Sequence, residues 1–397
     1  MNVKPAHRPV PRIASGLADF YWLRVPRRLA RASPTVAAHA LDGSYLSRHP
    51  MAGALSPPAA AALGLVLGAA HPGPTYSRSV IVMGLLVATG FVAASLGMAA
   101  LVGYAVGDLF LHGPIDDVSG VDRLVPLLIT YAVMAFVVVL APTATTAIRS
   151  SVRRAVATKL GDGAGATLIV TTVFGAAVAG LLVYTWTRSA AVLIRPVFTW
   201  HGSQPEAPDI RPLQTGRVWA LVAAAIAATV ARAVAEERLR LRARHDPRHE
   251  ALAVSVALRA HVVAADPARR ISSRVAAGVA TAFVLSGMIA GFVQGVLVAA
   301  FFTAVLLARD ALNRSGARAV RLFQKVPAIV RFALAFLVAR QVVESILSRA
   351  WDSGSRSTFE PLLYATCAAA AIVTVLSGRR PAPELALFTE DVARRTR

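Results

Sequence analysis

Three side chains stand where an apolar helix does not hold polar groups without reason: Gln294, Arg340 and Glu344. A charge at the centre of a bilayer costs about 2.5–3.5 kcal/mol on insertion scales, so it pairs, lines a polar cavity or snorkels to the surface. Arg340 and Glu344 are four residues apart, which places them on one helical face, with Gln341 and Ser345 beside them. With Gln294 they form a candidate substrate-binding set whose chemistry is ion pairing and hydrogen bonding. The competing reading puts residues 332–347 partly at the interface, with Arg340 snorkelling.

Other candidates are weaker. Asp108, Asp116, Asp117 and Asp122 form an acidic stretch whose one basic residue is Arg123. Carboxylates suit hard cations, but this spacing matches no calcium loop, and no metal site is expected. His201, after Trp200, reads as a loop residue. Cys367 is the sole cysteine, which excludes an intramolecular disulfide and any multi-cysteine metal centre. The chain has no P-loop, no G-x-S-x-G, no H-E-x-x-H and no dinucleotide fingerprint, so neither a catalytic residue nor a cofactor is expected.

The elements that must position these residues are membrane helices. The chain is 56% hydrophobic and 16% charged, against roughly 45–50% and 25% for soluble domains. Its mean hydropathy is +0.57. Residues 275–308 lack any ionisable side chain, and about 20 apolar residues cross a bilayer. Further runs lie at 80–107, 124–141, 163–184, 218–235, 332–347 and 361–376, with 52–70, interrupted by Pro57-Pro58, the weakest. The expectation is an all-α polytopic integral membrane bundle of about eight transmembrane helices. Residues 1–50 form a basic N-terminal segment, 51–235 and 275–378 the two helix groups, 236–274 a charged helical loop and 379–397 a tail.

The net charge of +21 is nearly all arginine and flanks the apolar runs, which fits anionic lipid headgroups better than nucleic acid. Of the 42 lysines and arginines, 33 fall in the segments assigned to the cytoplasm and 7 outside. Both termini are then cytoplasmic, and the composition suits the cell membrane of a high-GC bacterium. Arg24, Arg27, Arg28 and Arg31 share a helical face beside an aromatic cluster, and Arg314, Arg318, Arg321 and Lys325 form a second basic stripe within 309–331. Both read as helices on the membrane surface. Gly103 and Gly107, and Gly287, Gly291 and Gly295, recur every four residues and permit close helix packing. At ~51 Å the 275–308 run is long for one crossing, and a hairpin keeps the second basic stripe inside.

Three function classes follow. The expected one is a non-catalytic membrane component, a permease-type subunit or a scaffold, with a membrane-protein partner or a second copy of itself. A self-contained secondary transporter would use Arg340, Glu344 and Gln294 near the midplane. An enzyme acting on lipid-linked substrates would need Asp116, Asp117 or His201 for acid–base work, which their spacing does not require.

Overall fold

The computed structural model describes residues 12–70, 80–112, 130–160, 165–193, 218–242, 251–259, 266–284 and 292–315, with isolated positions between 322 and 341. Among the described residues all regular structure is helical and there is no strand. Four helical stretches are long and apolar enough to cross a membrane: Met51–Ala70, Thr130–Ser150, Gly165–Thr187 and Val218–Leu239. Two compact units divide the chain, Met1–Arg270 and Ile271–Arg397.

The first unit begins with α1 (Arg12–Asp19), a π-turn (Phe20–Arg24), α2 (Val25–Ala32) and α3 (Pro34–Leu41). Ser33 separates α2 from α3, its hydroxyl accepting from Val36 N while Pro34 occupies the first helical position. The sequence places the aromatic cluster at the headgroups, but Trp22 turns inward and is 1% exposed. Its indole donates to Gly53 O at 2.8 Å. That bond explains how α4 (Pro50–Ala70) runs unbroken through Pro57. Proline has no N–H for the carbonyl four residues earlier, which is Gly53, and the tryptophan supplies the missing donor.

The sequence reads 80–107 as a single span. The structure instead breaks it at Ala93 into α5 (Val80–Val92) and α6 (Ala94–His112). A side chain built on Gly97 would meet Gly90 Cα at 2.7 Å, whereas a straight helix separates residues seven apart by about 10 Å. Both glycines face Val138 O, so the corner closes only because neither carries a Cβ. α6 then packs along α4 in parallel: Gly64 meets Ala100 O, Gly68 meets Tyr104 O, Gly103 meets Ala61 O and Gly107 meets Leu65 O. Two glycine pairs thus bring the backbones together where lipid offers no hydrophobic drive.

A second π-turn, Phe136–Leu140, leads into α7 (Ala141–Leu160). The apolar run here extends beyond the 141 expected, to Ser150. Thr143, Thr145 and Thr146 return their hydroxyls to the carbonyls four residues back, which hides polarity that composition counts as loop. α8 (Gly165–Leu193) and α9 (Val218–Arg242) complete the bundle, α9 packing on both α5 and α8. Trp186, near the end of the 163–184 run where tryptophan commonly marks a membrane interface, is instead fully buried and donates to Val133 O at 2.9 Å. Outward-facing Ile81, Val102, Phe110, Ile169, Val173 and Leu181 give the bundle the apolar exterior of a lipid-facing protein. The helix at 251–259, α10, packs Leu252 and Val256 against Ala30 and Ala37.

The described residues of the 275–308 run belong to two helices, α11 (Pro267–Val284), which enters the second unit at Ile271, and α12 (Phe292–Ser315). Gly278 meets Ala299 and Thr303, and Arg274 pairs with Asp310 at 2.9 Å, so the arms are antiparallel.

Candidate functional site

An interrupted helix exposes backbone groups that the apolar phase cannot satisfy. At the Ala93 corner a turn from the N-terminal segment satisfies them. Asp42 Oδ2 accepts from Ala94 N at 2.6 Å, capping α6 at the positive end of its dipole. Tyr45 OH donates to Val92 O at 3.0 Å on the other side of the break. Between them Gly43 has φ +88°, and a Cβ there would collide with that of Ala93.

Arg232, from the middle of α9, closes on this cap. Its Nη1 and Nη2 donate to Asp42 Oδ2 and Oδ1 at 2.9 and 2.7 Å, the two-pronged geometry that suits guanidinium to carboxylate. Its Nε donates to Glu236 Oε1 at 2.8 Å, and its Cζ lies 5.7 Å from the Tyr45 ring centroid. The Arg232 side chain is 4% exposed and that of Asp42 9%. Glu236 Oε2 accepts from Arg149 of α7, and Arg153 approaches Glu237 at 3.6 Å. Two guanidiniums and two carboxylates therefore neutralise one another inside an apolar bundle. Two buried polar atoms near them have no hydrogen-bond partner, Arg149 Nη1 and Ser95 Oγ. The arrangement holds helix ends, and its described residues include no nucleophile–base pair.

His39 lies beside the network, its Nδ1 2.9 Å from Thr143 Oγ1. Burial holds the imidazole below its ordinary 6.5, with Asp42 opposing. The unfolded chain therefore takes up the proton first, so this contribution is complete above pH 6.5 and is lost as pH falls toward the folded value. The melting temperature in detergent should drop between pH 7 and pH 5, and His39→Gln should flatten that part of the curve. An unchanged slope would remove His39 from the account. Burial likewise raises the Tyr45 hydroxyl above 10.0, with Arg232 opposing, which keeps it a donor to Val92.

A second polar contact lies along α6. Asp108, grouped by sequence with an acidic stretch, is buried and accepts from Tyr131 OH at 2.6 Å, with Tyr104 edge-on to Tyr131. Asp116, Asp117, Asp122 and His201 lie outside the described residues, as do Arg340, Glu344, Gly287, Gly291, Arg318, Arg321 and Lys325. Gln294, Gly295 and Arg314 sit in α12, with side chains outside those described. Gly103 and Gly107 face the α4 backbone, and Arg24, Arg27, Arg28 and Arg31 are exposed. Sequence reasoning missed Asp42, Gly43, Tyr45, Arg149 and the pairing of Arg232 with Glu236. The usable signals were Arg232 inside an apolar run and the Asp42-Gly43 turn dipeptide.

Comparison with protein-family models, with characterised proteins and with solved structures finds no match for this chain.

Proposed function

We propose that this chain is a multi-pass component of a bacterial cell membrane without a catalytic centre of its own, a permease-type subunit or the scaffold of a larger assembly. One observation carries this reading: the buried charges around Arg232 are spent on one another and on the ends of a broken helix. Such a network stabilises a shape, and glycine-paired helices with a lipid-facing exterior suit a body that packs against others. Anionic lipid and either a membrane-protein partner or a second copy are its expected neighbours. A native mass spectrum from mild detergent tests it. A second protein species would support the assembly reading; the chain alone, carrying a small molecule, would overturn it.

That second outcome belongs to a secondary transporter. The broken helix beside Arg232, with two unsatisfied polar atoms at the corner, favours it, since such proteins bind substrate at helix interruptions. Gln294, Arg340 and Glu344 remain its candidate substrate groups, and Arg340→Ala should then abolish both retention and transport while leaving the fold intact.

The orientation is also a proposal, with both termini cytoplasmic. The eight crossings counted from sequence omit 52–70 and treat 80–107 as one. The path through α4, α5 and α6 has the same net direction, and only Arg78 changes side. If 275–308 is a hairpin, residue 315 lies inside. A cysteine introduced by Ser315→Cys should therefore resist an impermeant maleimide applied to intact cells. Labelling there would reverse the orientation of everything after it.

A further inference from the structure

We infer that the cleft between the N-terminal helices and α10 is a discrete binding site for an anionic glycerophospholipid. This rests on the membrane reading above and adds a specific place and residue set to it.

The cleft has a volume of about 620 Å³, within the ~300–1,000 Å³ of sites that hold small amphiphilic molecules. Its floor includes Leu23, Ala30 and Leu252, continuous with the small core of Ala37 and Val256. Its rim carries Arg24 and Arg27 from one side and Arg259 from α10 on the other. None of these guanidiniums makes an ion pair among the described residues. One carboxylate, Asp19, also lines the cleft, leaving a net positive mouth over an apolar floor.

Charge complementarity selects a phosphodiester, and the floor selects one with an acyl chain attached. The surroundings favour lipid over a soluble phosphate. Ile13, Leu17 and Phe20 are exposed at spacings of four and three along α1 and its π-turn, so an apolar stripe leads up to the basic rim. A helix carrying such a stripe lies in the bilayer surface, where its neighbouring arginines meet headgroups at phosphate depth. The site thereby distinguishes Arg24 and Arg27, which line the cleft with Arg259, from Arg28 and Arg31, which share their helix but not the cavity.

The experiment uses the full chain in nanodiscs containing equal phosphatidylglycerol and phosphatidylcholine, followed by native mass spectrometry of retained lipid. Phosphatidylglycerol should be enriched. Each basic residue near a membrane surface contributes about 1 kcal/mol, so Arg259→Gln should reduce enrichment about five-fold. Arg27→Gln with Arg259→Gln should reduce it by about 25-fold, while Arg28→Gln should leave it unchanged. Melting temperature serves as the folding control, and all these positions are exposed. Equal retention of both lipids, or equal loss with Arg28→Gln, overturns the site. Displacement of phosphatidylglycerol by 10 mM inorganic phosphate overturns the acyl-chain assignment. Recovery of the chain from cells without detergent would sink the membrane reading itself, which separates the two failures.

Discussion

Arg232→Met is expected to destabilise the first unit by about 3–5 kcal/mol, the range found when one partner of a buried ion pair is removed. The substitution keeps most of the aliphatic volume but leaves Asp42 inside the bundle without its two-pronged partner. Asp42 would retain only the Ala94 N–H, and Glu236 only Arg149. A carboxylate left in this state protonates or draws in water, and in either case its grip on the α6 N-terminus weakens. Reversible unfolding in mixed detergent should read the loss. Arg232→Lys keeps the charge but not the planar fork, and should fall between wild type and methionine. Adding Asp42→Asn to Arg232→Met should recover part of the loss, because the uncompensated charge is then gone while a cap remains. A loss below about 1 kcal/mol for Arg232→Met would mean that the pair is open to solvent and is not the lock on this corner.

The class of the protein was legible because apolar runs and their basic flanks are local properties. Its helical nature and three of its four candidate spans follow from the same patterning, whereas Met51–Ala70, the weakest run by sequence and left out of the crossing count, is also long and apolar enough to cross. The corner at Ala93 was not legible, since neither proline nor charge marks it within an apolar run. What breaks the helix is the absence of two Cβ atoms at Gly90 and Gly97, together with replacement partners from Asp42 and Tyr45, 52 and 47 residues away. The Asp42–Arg232 pair spans 190 residues, beyond any spacing rule. Trp22 and Trp186 misled for a related reason. Tryptophan marks an interface when its N–H seeks water, but here each indole finds a backbone carbonyl in the interior. Pro57 reads as a breaker until its missing donor is supplied from another element.

The glycine pairs of α4 and α6 carry the other large expectation. Gly103→Ala and Gly64→Ala should each cost about 3 kcal/mol or more, at or above the top of the usual range for overpacking. The reason lies in what the new methyl would strike: Ala61 O for residue 103 and Ala100 O for residue 64. A crowded side chain can change rotamer, but a helix carbonyl can move only with its helix, so the two backbones must separate along the whole contact. Gly165→Ala, where nothing lies within 4 Å, should be neutral or slightly stabilising and controls for helix propensity. A wild-type melting temperature for Gly103→Ala would disprove the close approach of α4 and α6. The two expectations are also coupled through α6, whose first residue is held by Asp42 and whose flank lies on α4. Pushing α6 away from α4 loosens the Ala94 cap that Arg232 stabilises. Gly103→Ala combined with Arg232→Met should therefore cost less than the sum of the two, whereas strict additivity would mean that the cap and the glycine contact are held independently.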